Sequence, residues 1–392
     1  MQFASALSRE VQTEAAVSEV LNQVAPRLPE QQAHISFVFA SPHHLKAFPS
    51  LLHVIQERFA THTLLGCTGG GVIGDRHEVE NQPALALMVA HLPGVNITSF
   101  HVEQPDLEEE WPETYWQNRL GVAPEDEPTF IVLPDPFMIN PQTLLDIFNR
   151  TYPQRPVLGG LASGGRSQSS CALFLNGEVV HGAVGVALTG NCTVRTVVSQ
   201  GCKPIGHPFV ITRCEEYVIY ELSGRPALET VREALSDLPP EDQELARTAL
   251  LMGRVIDEYK EEFSRGDFLI RTFQGADPRS GAIAVGDLFR PGQTVQLHVR
   301  DATTAREDLH ALMTTLSPDL AAQPARGALL FSCNGRGAHL YGEPDHDSRV
   351  VTETTGAIPM AGFFCNGEIG PIGTGNFLHG FTASIGIFQE KA

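Results

Sequence analysis

The feature of this sequence that most constrains its fold is a repeated order of elements. In the first copy, the apolar run His34–Ala40 predicts a strand, Leu45–Ala60 an amphipathic helix, and Thr63–Gly66 a strand that leads into a glycine-rich loop. Two further strands are predicted at Ala84–His91 and Val95–Val102. Strands that alternate with helices in this way predict a sheet covered by helices.

A second copy of the same order follows. Its predicted elements are the strand Thr129–Leu133, the helix Pro141–Tyr152, the strand Pro156–Gly159, the loop Gly160–Gly165, and the strands Cys171–Leu175 and His181–Leu188. The last two strands are connected through Asn176-Gly177, a dipeptide typical of tight hairpin turns. Each copy therefore reads strand, helix, strand with a small-residue loop, then antiparallel strands.

The C-terminal part contains the same kinds of predicted element, strands, helices and glycine-rich loops, in a different order. Predicted there are strands at Phe268–Phe273, Ala282–Val285 and Thr294–Val299, the helix Thr304–Leu316, and strands at Gly327–Phe331, Ile358–Phe364 and Phe381–Phe388. Near the N-terminus, helical periodicity extends over Ala6–Ala25. We predict an α/β (α+β) protein with two domains of mixed, largely antiparallel sheets and helices packed outside. The predicted boundaries are 1–30 for an N-terminal helix, 31–215 for the first domain and 216–392 for the second.

Charge and cysteine content exclude several classes of protein. The chain has 27 Lys and Arg against 46 Asp and Glu, a net charge of −19, which disfavours binding to nucleic acid or to an anionic membrane surface. No apolar run is long enough for a membrane span. The seven cysteines form no CxxC pair, so neither a disulfide framework nor a zinc ribbon is expected. We predict reduced thiols and a cytoplasmic location.

Two loops near the C-terminus each follow a predicted strand and each contain Cys-Asn-Gly. They are Ser332–Gly337, which includes Arg336, and Cys365–Pro371, which includes Glu368. Arg336 could hold a carboxylate or phosphate, and Glu368 could accept an ammonium group, a combination that suits a zwitterion such as an amino acid. The alternative is that these charges pair with each other or with backbone and fix two tight turns.

Nucleophilic chemistry is a further alternative for these loops. Cys333 or Cys365 could act with His339, His346 or His379 as base, but no known nucleophile motif surrounds either cysteine, and buried structural cysteines are more common. His43, His44, His77, Asp345 and Asp347 lack the spacing of a metal site. The glycine loops match neither a Walker A motif nor a dinucleotide fingerprint, because strands follow them. We predict no metal and no cofactor.

Several motifs resemble one known family. Gly327–Gly337, Gly342–Asp347, Ala361–Pro371 and Leu378–Thr382 look like its C-terminal signature. Gly66–Gly74, Lys203–Gly206 and Leu222–Ala227 look like its N-terminal signature. Together they resemble the FIST sensory proteins, which combine a FIST N domain with a FIST C domain. The resemblance extends from about residue 30 to the end of the chain.

The resemblance implies a small-ligand sensor of signal transduction, with amino acids or related metabolites as ligands. Relatives couple FIST domains to other signalling modules; the short segments outside the motifs imply here a stand-alone sensor acting on an unknown signalling protein in trans. A protein-interaction scaffold like F-box relatives and a Cys-dependent enzyme remain alternatives, and enzyme activity is not expected. The predicted ligand-binding residues are Cys67, Thr68, Gly69, Gly70, Cys333, Asn334, Gly335, Arg336, Gly337, Cys365, Asn366, Gly367, Glu368, His379 and Thr382.

Overall fold

Contacts in space divide the chain into two compact units. The computed structural model describes residues 1–28, 32–61, 63–165 and 167–391. The first unit contains Met1–Val198, Leu309–Leu378 and the chain from Thr382 onward, and the second contains Ser199–Asp308 and His379–Phe381. Mixed sheets with helices confirm the predicted α/β class. The division into 31–215 and 216–392 rests on sequence motifs and stays a prediction.

The first unit is built from three repeats of one pattern. The first repeat contains β1 (Gln2–Ser8), α1 (Thr13–Val24), β2 (Ile35–Ala40), α2 (Phe48–Phe59), β3 (Thr63–Thr68), β4 (Gly71–Gly74), β5 (His77–Glu80) and β6 (Leu85–His91). The second contains β7 (Val95–Val102), α3 (Glu113–Leu120), β8 (Thr129–Pro134), α4 (Pro141–Thr151), β9 (Val157–Gly160), β10 (Leu173–Leu175), β11 (Glu178–Val180) and β12 (Ala183–Gly190). The elements of both predicted copies are therefore present, but Val95–Val102, which we predicted as the last strand of the first copy, begins the second repeat and pairs with β12.

The third repeat begins with β13 (Cys192–Gln200) and is then interrupted by the second unit. That unit contributes β14 (Cys202–Glu215), β15 (Val218–Leu222), β16 (Arg225–Pro226), α5 (Ala227–Ser236), α6 (Pro240–Ala249), β17 (Leu250–Val255), β18 (Phe268–Asp277), β19 (Ala282–Val285) and β20 (Thr294–Arg300). The chain returns to the third repeat within α7 (Ala302–Ala322). It continues with β21 (Gly327–Cys333), α8 (Ala338–Tyr341), α9 (His346–Thr355), β22 (Met360–Cys365), β23 (Glu368–Ile372), β24 (Gly375–His379) and β25 (Thr382–Glu390).

Three six-stranded sheets share one strand order. The orders are β1-β6-β2-β3-β10-β11, β7-β12-β8-β9-β23-β24 and β13-β25-β21-β22-β4-β5. In each sheet the central pair is parallel (β2–β3, β8–β9, β21–β22), and the last two strands come from a different repeat. The repeats therefore exchange their hairpins in a cycle, which ties each sheet to the next repeat.

Packing follows from this arrangement. One face of every sheet contributes to a shared central core, in which Phe39, Phe331 and Phe363 contact one another. The opposite faces pack against helices: α1 and α2 cover the first sheet, α3 and α4 the second, and α7 and α9 the third. Because both faces of each sheet are covered, the central strands are buried along nearly their whole length and are rich in apolar residues.

Each parallel pair contains a glycine at the same position. Gly66 lies opposite Val38, Gly159 opposite Val132, and Gly362 opposite Leu330. A Cβ at any of these glycines would lie within 1.9 Å of the carbonyl oxygen of the opposite residue. Only glycine allows this close approach of backbones, so the three glycines mark equivalent positions from which the strand-end loops can be compared.

The structure differs from the sequence-based expectations where pairing is long-range. The predicted helix Ala6–Ala25 begins only at Thr13, because Gln2–Ser8 pairs with β6 and buries its apolar side chains. The expected loop after Gly66 ends in β4, and the expected loop Cys365–Pro371 overlaps β23; each of these strands has a partner in another repeat. A local pattern carries no information about such partners.

The second unit has its own sheet and core. Its seven strands have the order β14-β20-β17-β18-β19-β15-β16, and neighbouring strands with a defined register are antiparallel. A core that includes Ile205, Val231 and Leu297 lies between this sheet and the helices α5 and α6. The unit is thus an antiparallel α+β insertion within the third repeat.

Candidate functional site

The loops at the carboxyl ends of the parallel strands meet one another in the first unit. Gly70, after β3, donates its N–H to the Ser163 hydroxyl at 2.7 Å. Ser163, after β9, donates its own N–H to the Thr68 carbonyl at 3.0 Å and its hydroxyl to the Phe364 carbonyl of β22. One serine thus connects the strand ends of all three repeats.

The two Cys-Asn-Gly turns also adjoin. The N–H of Asn334 donates to the Cys365 carbonyl at 2.9 Å, and the side-chain amide of Asn334 donates to that of Asn366 at 2.7 Å. Both asparagines are exposed, and a Cβ on Gly70 would lie 2.7 Å from Asn334 Oδ1. Gly70, Asn334 and Asn366 therefore form one exposed patch of backbone and amide groups, which can donate and accept hydrogen bonds.

Glu368 lies beneath these turns as the first residue of β23 and has no exposed surface. Its Oε2 accepts the N–H of Thr382 at 3.1 Å, and the Cys333 side chain also hydrogen-bonds the carboxyl group. Oε1 has no hydrogen-bond partner among the described residues. Burial raises the pKa of Glu368 well above its ordinary value, so the folded protein favours the protonated acid.

The repeats show how unusual this carboxyl group is. The residue after each equivalent glycine pairs with a residue of an exchanged hairpin: Phe363 with Val72, Cys67 with Leu173, and Gly160 with Glu368. Val72 and Leu173 are fully buried members of the central core. A carboxylic acid therefore occupies a position at which the other two repeats carry an aliphatic side chain. Packing alone does not explain an acid at this position, because burying a partly satisfied carboxyl group is unfavourable.

Arg336 is oriented by an internal carboxylate. Its Nε donates to Asp347 Oδ2 at 2.7 Å and its Nη2 donates to Oδ1 at 3.0 Å, and both side chains are buried. Burial by itself raises the pKa of Asp347, but Arg336 and His346 hold that pKa well below its usual range. The bidentate pair fixes the turn after β21 to the start of α9, and the binding of a ligand anion by Arg336 stays a prediction.

Further polar side chains complete this buried cluster. Ser332 donates to Asp347 at 2.9 Å, His346 contacts the same carboxylate at 3.0 Å, and the rings of Tyr341 and His346 are stacked with centroids 3.6 Å apart. From the exchanged hairpin, Glu78 accepts the N–H of Ser348 at 2.8 Å. Burial, and secondarily Asp347, raises the pKa of Glu78 to about 8. The cluster connects the first repeat to the third.

The cysteines differ in accessibility. Cys67 and Cys365 are fully buried, and burial raises the pKa of each thiol well above its ordinary value. Such thiols are poor nucleophiles, because the thiolate is the reactive form. Cys333 is partly exposed and is directly opposite Cys365 in the parallel pair β21–β22. None of the seven cysteines is disulfide-bonded.

The remaining predicted residues have varied positions. Thr68 accepts the N–H of Ala172 with its hydroxyl at 3.0 Å. Gly337 has a φ of 73° and precedes α8, whose first N–H, that of Ala338, is capped by Glu80 at 2.8 Å. Gly69, Gly335 and Gly367 lie in the loops that follow β3, β21 and β22, respectively. His379 ends β24 and belongs to the second compact unit.

Sequence reasoning missed Ser163, Glu78 and the pairing of Asp347. In the sequence, Ser163 is one small residue of the loop Gly160–Gly165, which matches no phosphate-binding motif, and Glu78 lies in a strand that the sequence pattern does not predict. Asp347 is separated from Arg336 by a short helix. No motif spacing identifies these partners, although charged residues beside a strand-end turn are candidates for internal pairing.

Neither a metal-binding cluster nor a membrane-spanning helix is present among the described residues. No group of three or more His, Cys, Asp or Glu side chains is arranged to hold a metal ion within the ranges that the structure describes. In those ranges, every helix is too short or too polar to cross a bilayer.

Known proteins resemble this chain over most of its length. The FIST N domain model matches residues 34–225, and the FIST C domain model matches residues 227–371. An uncharacterized protein of Mycobacterium tuberculosis is 39% identical over 357 residues, which is 91% of each chain. An uncharacterized protein of Mycobacterium bovis is 36% identical over 376 residues, covering 96% of this chain and 95% of the relative. FIST domains are in general small-ligand sensory domains, and this chain belongs to the FIST family.

Proposed function

We propose that this protein is a sensory protein that binds an amino acid or a related metabolite at the strand-end loops of its first unit and signals to a partner protein. Family membership supports small-ligand sensing in general. The choice of an amine-bearing ligand rests mainly on Glu368, a buried carboxyl group at a position that is aliphatic in both other repeats.

Glu368 is suited to receive an ammonium group. Its Oε1 lacks a partner among the described residues, and a cation beside it would stabilise the ionised form that burial disfavours. The exposed amides of Asn334 and Asn366 lie on the neighbouring turn, where they can hydrogen-bond the polar groups of a ligand. An α-amino acid carries an ammonium group, which can pair with Glu368, and close to it a carboxylate, which can accept hydrogen bonds from the asparagine amides.

Arg336 has a supporting part in this proposal. Because its Nε and Nη2 already contact Asp347, the guanidinium holds the turn that carries Cys333 and Asn334 in place. A preorganised turn lowers the entropy that a ligand must overcome on binding. Signalling to a partner would follow if the ligand favours one arrangement of these loops over another.

A thermal-shift screen tests the proposal directly. A ligand that binds only the folded state raises the melting temperature, so we expect at least one amino acid or related metabolite to stabilise the native chain. The Glu368→Gln variant should lose this response. The Glu78→Gln variant is the matched control, because it removes another buried carboxyl group of the same unit and should keep the response. If no compound in a broad panel shifts the native protein, the proposal fails.

A cytoplasmic location is part of the proposal. The seven cysteines, none of them disulfide-bonded, support a reducing compartment. Fractionation of the native cell, with detection of the chain in the soluble cytoplasmic fraction, is the corresponding measurement. Recovery in an extracytoplasmic fraction would contradict it.

Cysteine chemistry is the second candidate function, and one contact favours it: the hydrogen bond between Cys333 and the carboxyl group of Glu368. A protonated acid next to a partly exposed thiol could donate a proton to a leaving group. Rapid alkylation of Cys333 at neutral pH, compared with Cys333→Ser as the unreactive control, would support this function. Slow alkylation would exclude it, since a catalytic thiol needs a lowered pKa.

A further inference from the structure

Two arginines of the second unit share a single carboxylate oxygen. Arg254 of β17 and Arg271 of β18 both contact Asp287 Oδ2 through Nε, at 2.9 and 3.1 Å. In the antiparallel register Arg271 is opposite Met252, two residues from Arg254. The two guanidinium groups therefore extend from the same face of the sheet towards one acceptor.

The contacts leave this cluster with an excess positive charge. Asp287 is the only acidic partner of either arginine within the described residues, so two cations are balanced by one anion. The second oxygen of Asp287 accepts the N–H of Leu288 at 2.9 Å, and Arg271 Nη1 donates to its neighbouring carbonyl, that of Ile270. The remaining guanidinium donors have no partner among the described residues.

Burial makes this imbalance significant. The side chains of Arg254, Arg271 and Asp287 are exposed by only 21%, 12% and 17%. Burial, together with the neighbouring Arg254, lowers the pKa of Arg271 below its ordinary value. A partly desolvated pair of like charges is unfavourable unless an anion compensates it. The whole chain carries a net charge of −19, so this local excess is opposite in sign to the rest of the protein.

We propose that Arg254 and Arg271 form a binding site for a small oxyanion, either inorganic phosphate or the carboxylate or phosphate group of a metabolite. A guanidinium group binds the oxygens of such an anion in planar, bidentate geometry. Two neighbouring guanidinium groups can therefore hydrogen-bond several oxygens of one anion. Asp287 orients both arginines through Nε, which leaves both Nη groups of Arg254 and the Nη2 group of Arg271 for the ligand. This inference is independent of the function proposed for the first unit.

The experiment uses the full chain with sodium phosphate, sodium acetate and sodium chloride as probes at equal ionic strength. We expect phosphate or acetate, but not chloride, to raise the melting temperature in a saturable way, and calorimetric titration to give a dissociation constant. Loss of one charged hydrogen-bond donor in Arg254→Gln should weaken binding by about tenfold or more. Arg213→Gln is the matched control, because Arg213 belongs to an exposed ion pair with Glu221 in the same unit and should leave binding unchanged.

A second variant tests whether the cluster of Arg254, Arg271 and Asp287 binds an anion or has only a structural role. Asp287→Asn removes the competing carboxylate, so the anion should bind several-fold more tightly and should restore the melting temperature that the variant loses. If neither the native chain nor Asp287→Asn distinguishes phosphate and acetate from chloride, the cluster is only structural and the proposal is overturned. The relative response to phosphate and acetate identifies which oxyanion the site prefers.

Discussion

Arg336 and Asp347 form a bidentate ion pair in which neither side chain is exposed by more than 1%. The pair joins the turn after β21 to the first turn of α9, across a short helix that separates the two residues in sequence. Its position beside Cys333 and Asn334 makes the pair a support for the candidate site. Its separation from solvent makes it sensitive to loss of either partner.

Truncating one partner should be far more harmful than removing both. We expect Arg336→Ala to lower the free energy of unfolding by about 3–5 kcal/mol, because it leaves Asp347 buried without its counter-ion. Replacing both residues with apolar ones of similar volume should lower it much less. Urea unfolding of the single and double variants measures this. Arg349→Ala, which breaks an exposed pair with Glu343, is the control and should change stability by at most about 1 kcal/mol.

Glu78 should make stability depend on pH. Its pKa is raised from 4.5 to about 8 in the folded state, so folding favours the protonated acid. The resulting stabilisation is complete below pH 4.5 and is lost as the pH rises towards 8. Urea unfolding between pH 5 and pH 8 should therefore show a decline that is smaller in Glu78→Gln. An equal decline in the variant would mean that Glu78 is not the responsible group.

The glycines at equivalent positions in the three central parallel pairs should not tolerate a side chain. In Gly362→Ala the new Cβ would lie 1.8 Å from the Leu330 carbonyl oxygen, so the strands must move apart. We expect a loss of about 3 kcal/mol in the free energy of unfolding, at the upper end of typical overpacking. Gly275→Ala is the control, because nothing lies within 4 Å of its Cβ position, and it should change stability by less than about 1 kcal/mol. Similar losses in both would refute the argument.

The repeat could be predicted from local patterns, whereas the exchange of hairpins could not. The predicted limits of Ala282–Val285 and Val95–Val102 agree with the structure. The first is an apolar run between two glycines, and the second is rich in apolar and β-branched residues and follows the turn Leu92-Pro93-Gly94. The strands β4 and β23 are short and rich in glycine or proline, and their formation depends on partners in another repeat. Likewise Glu368 stands out in sequence as a charged residue in a glycine loop, but its aliphatic counterparts Val72 and Leu173 become recognisable only through register.

Replacing Glu368 by the residue type of its counterparts should stabilise the protein and impair its function. We expect Glu368→Leu to raise the free energy of unfolding by about 1–3 kcal/mol, because a poorly satisfied buried carboxyl group is removed. The gain should be larger at pH 8 than at pH 5, since keeping the acid protonated becomes more unfavourable as the pH rises. The reverse change, Val72→Glu, should be destabilising. A loss of stability in Glu368→Leu would instead show that the carboxyl group is needed for packing.

Binding of an amine ligand at Glu368 should release a proton. The folded protein without ligand favours the protonated carboxyl group, whereas an ammonium group pairs with the carboxylate. Affinity should therefore rise with pH, by at most about tenfold per pH unit for a single proton. Calorimetric titration with a stabilising amino acid, in two buffers of equal pH and different ionisation enthalpy, counts the protons directly. The same acid without its amino group is the control and should release none; equal heats in both buffers for the amino acid itself would rule out an ion pair with Glu368.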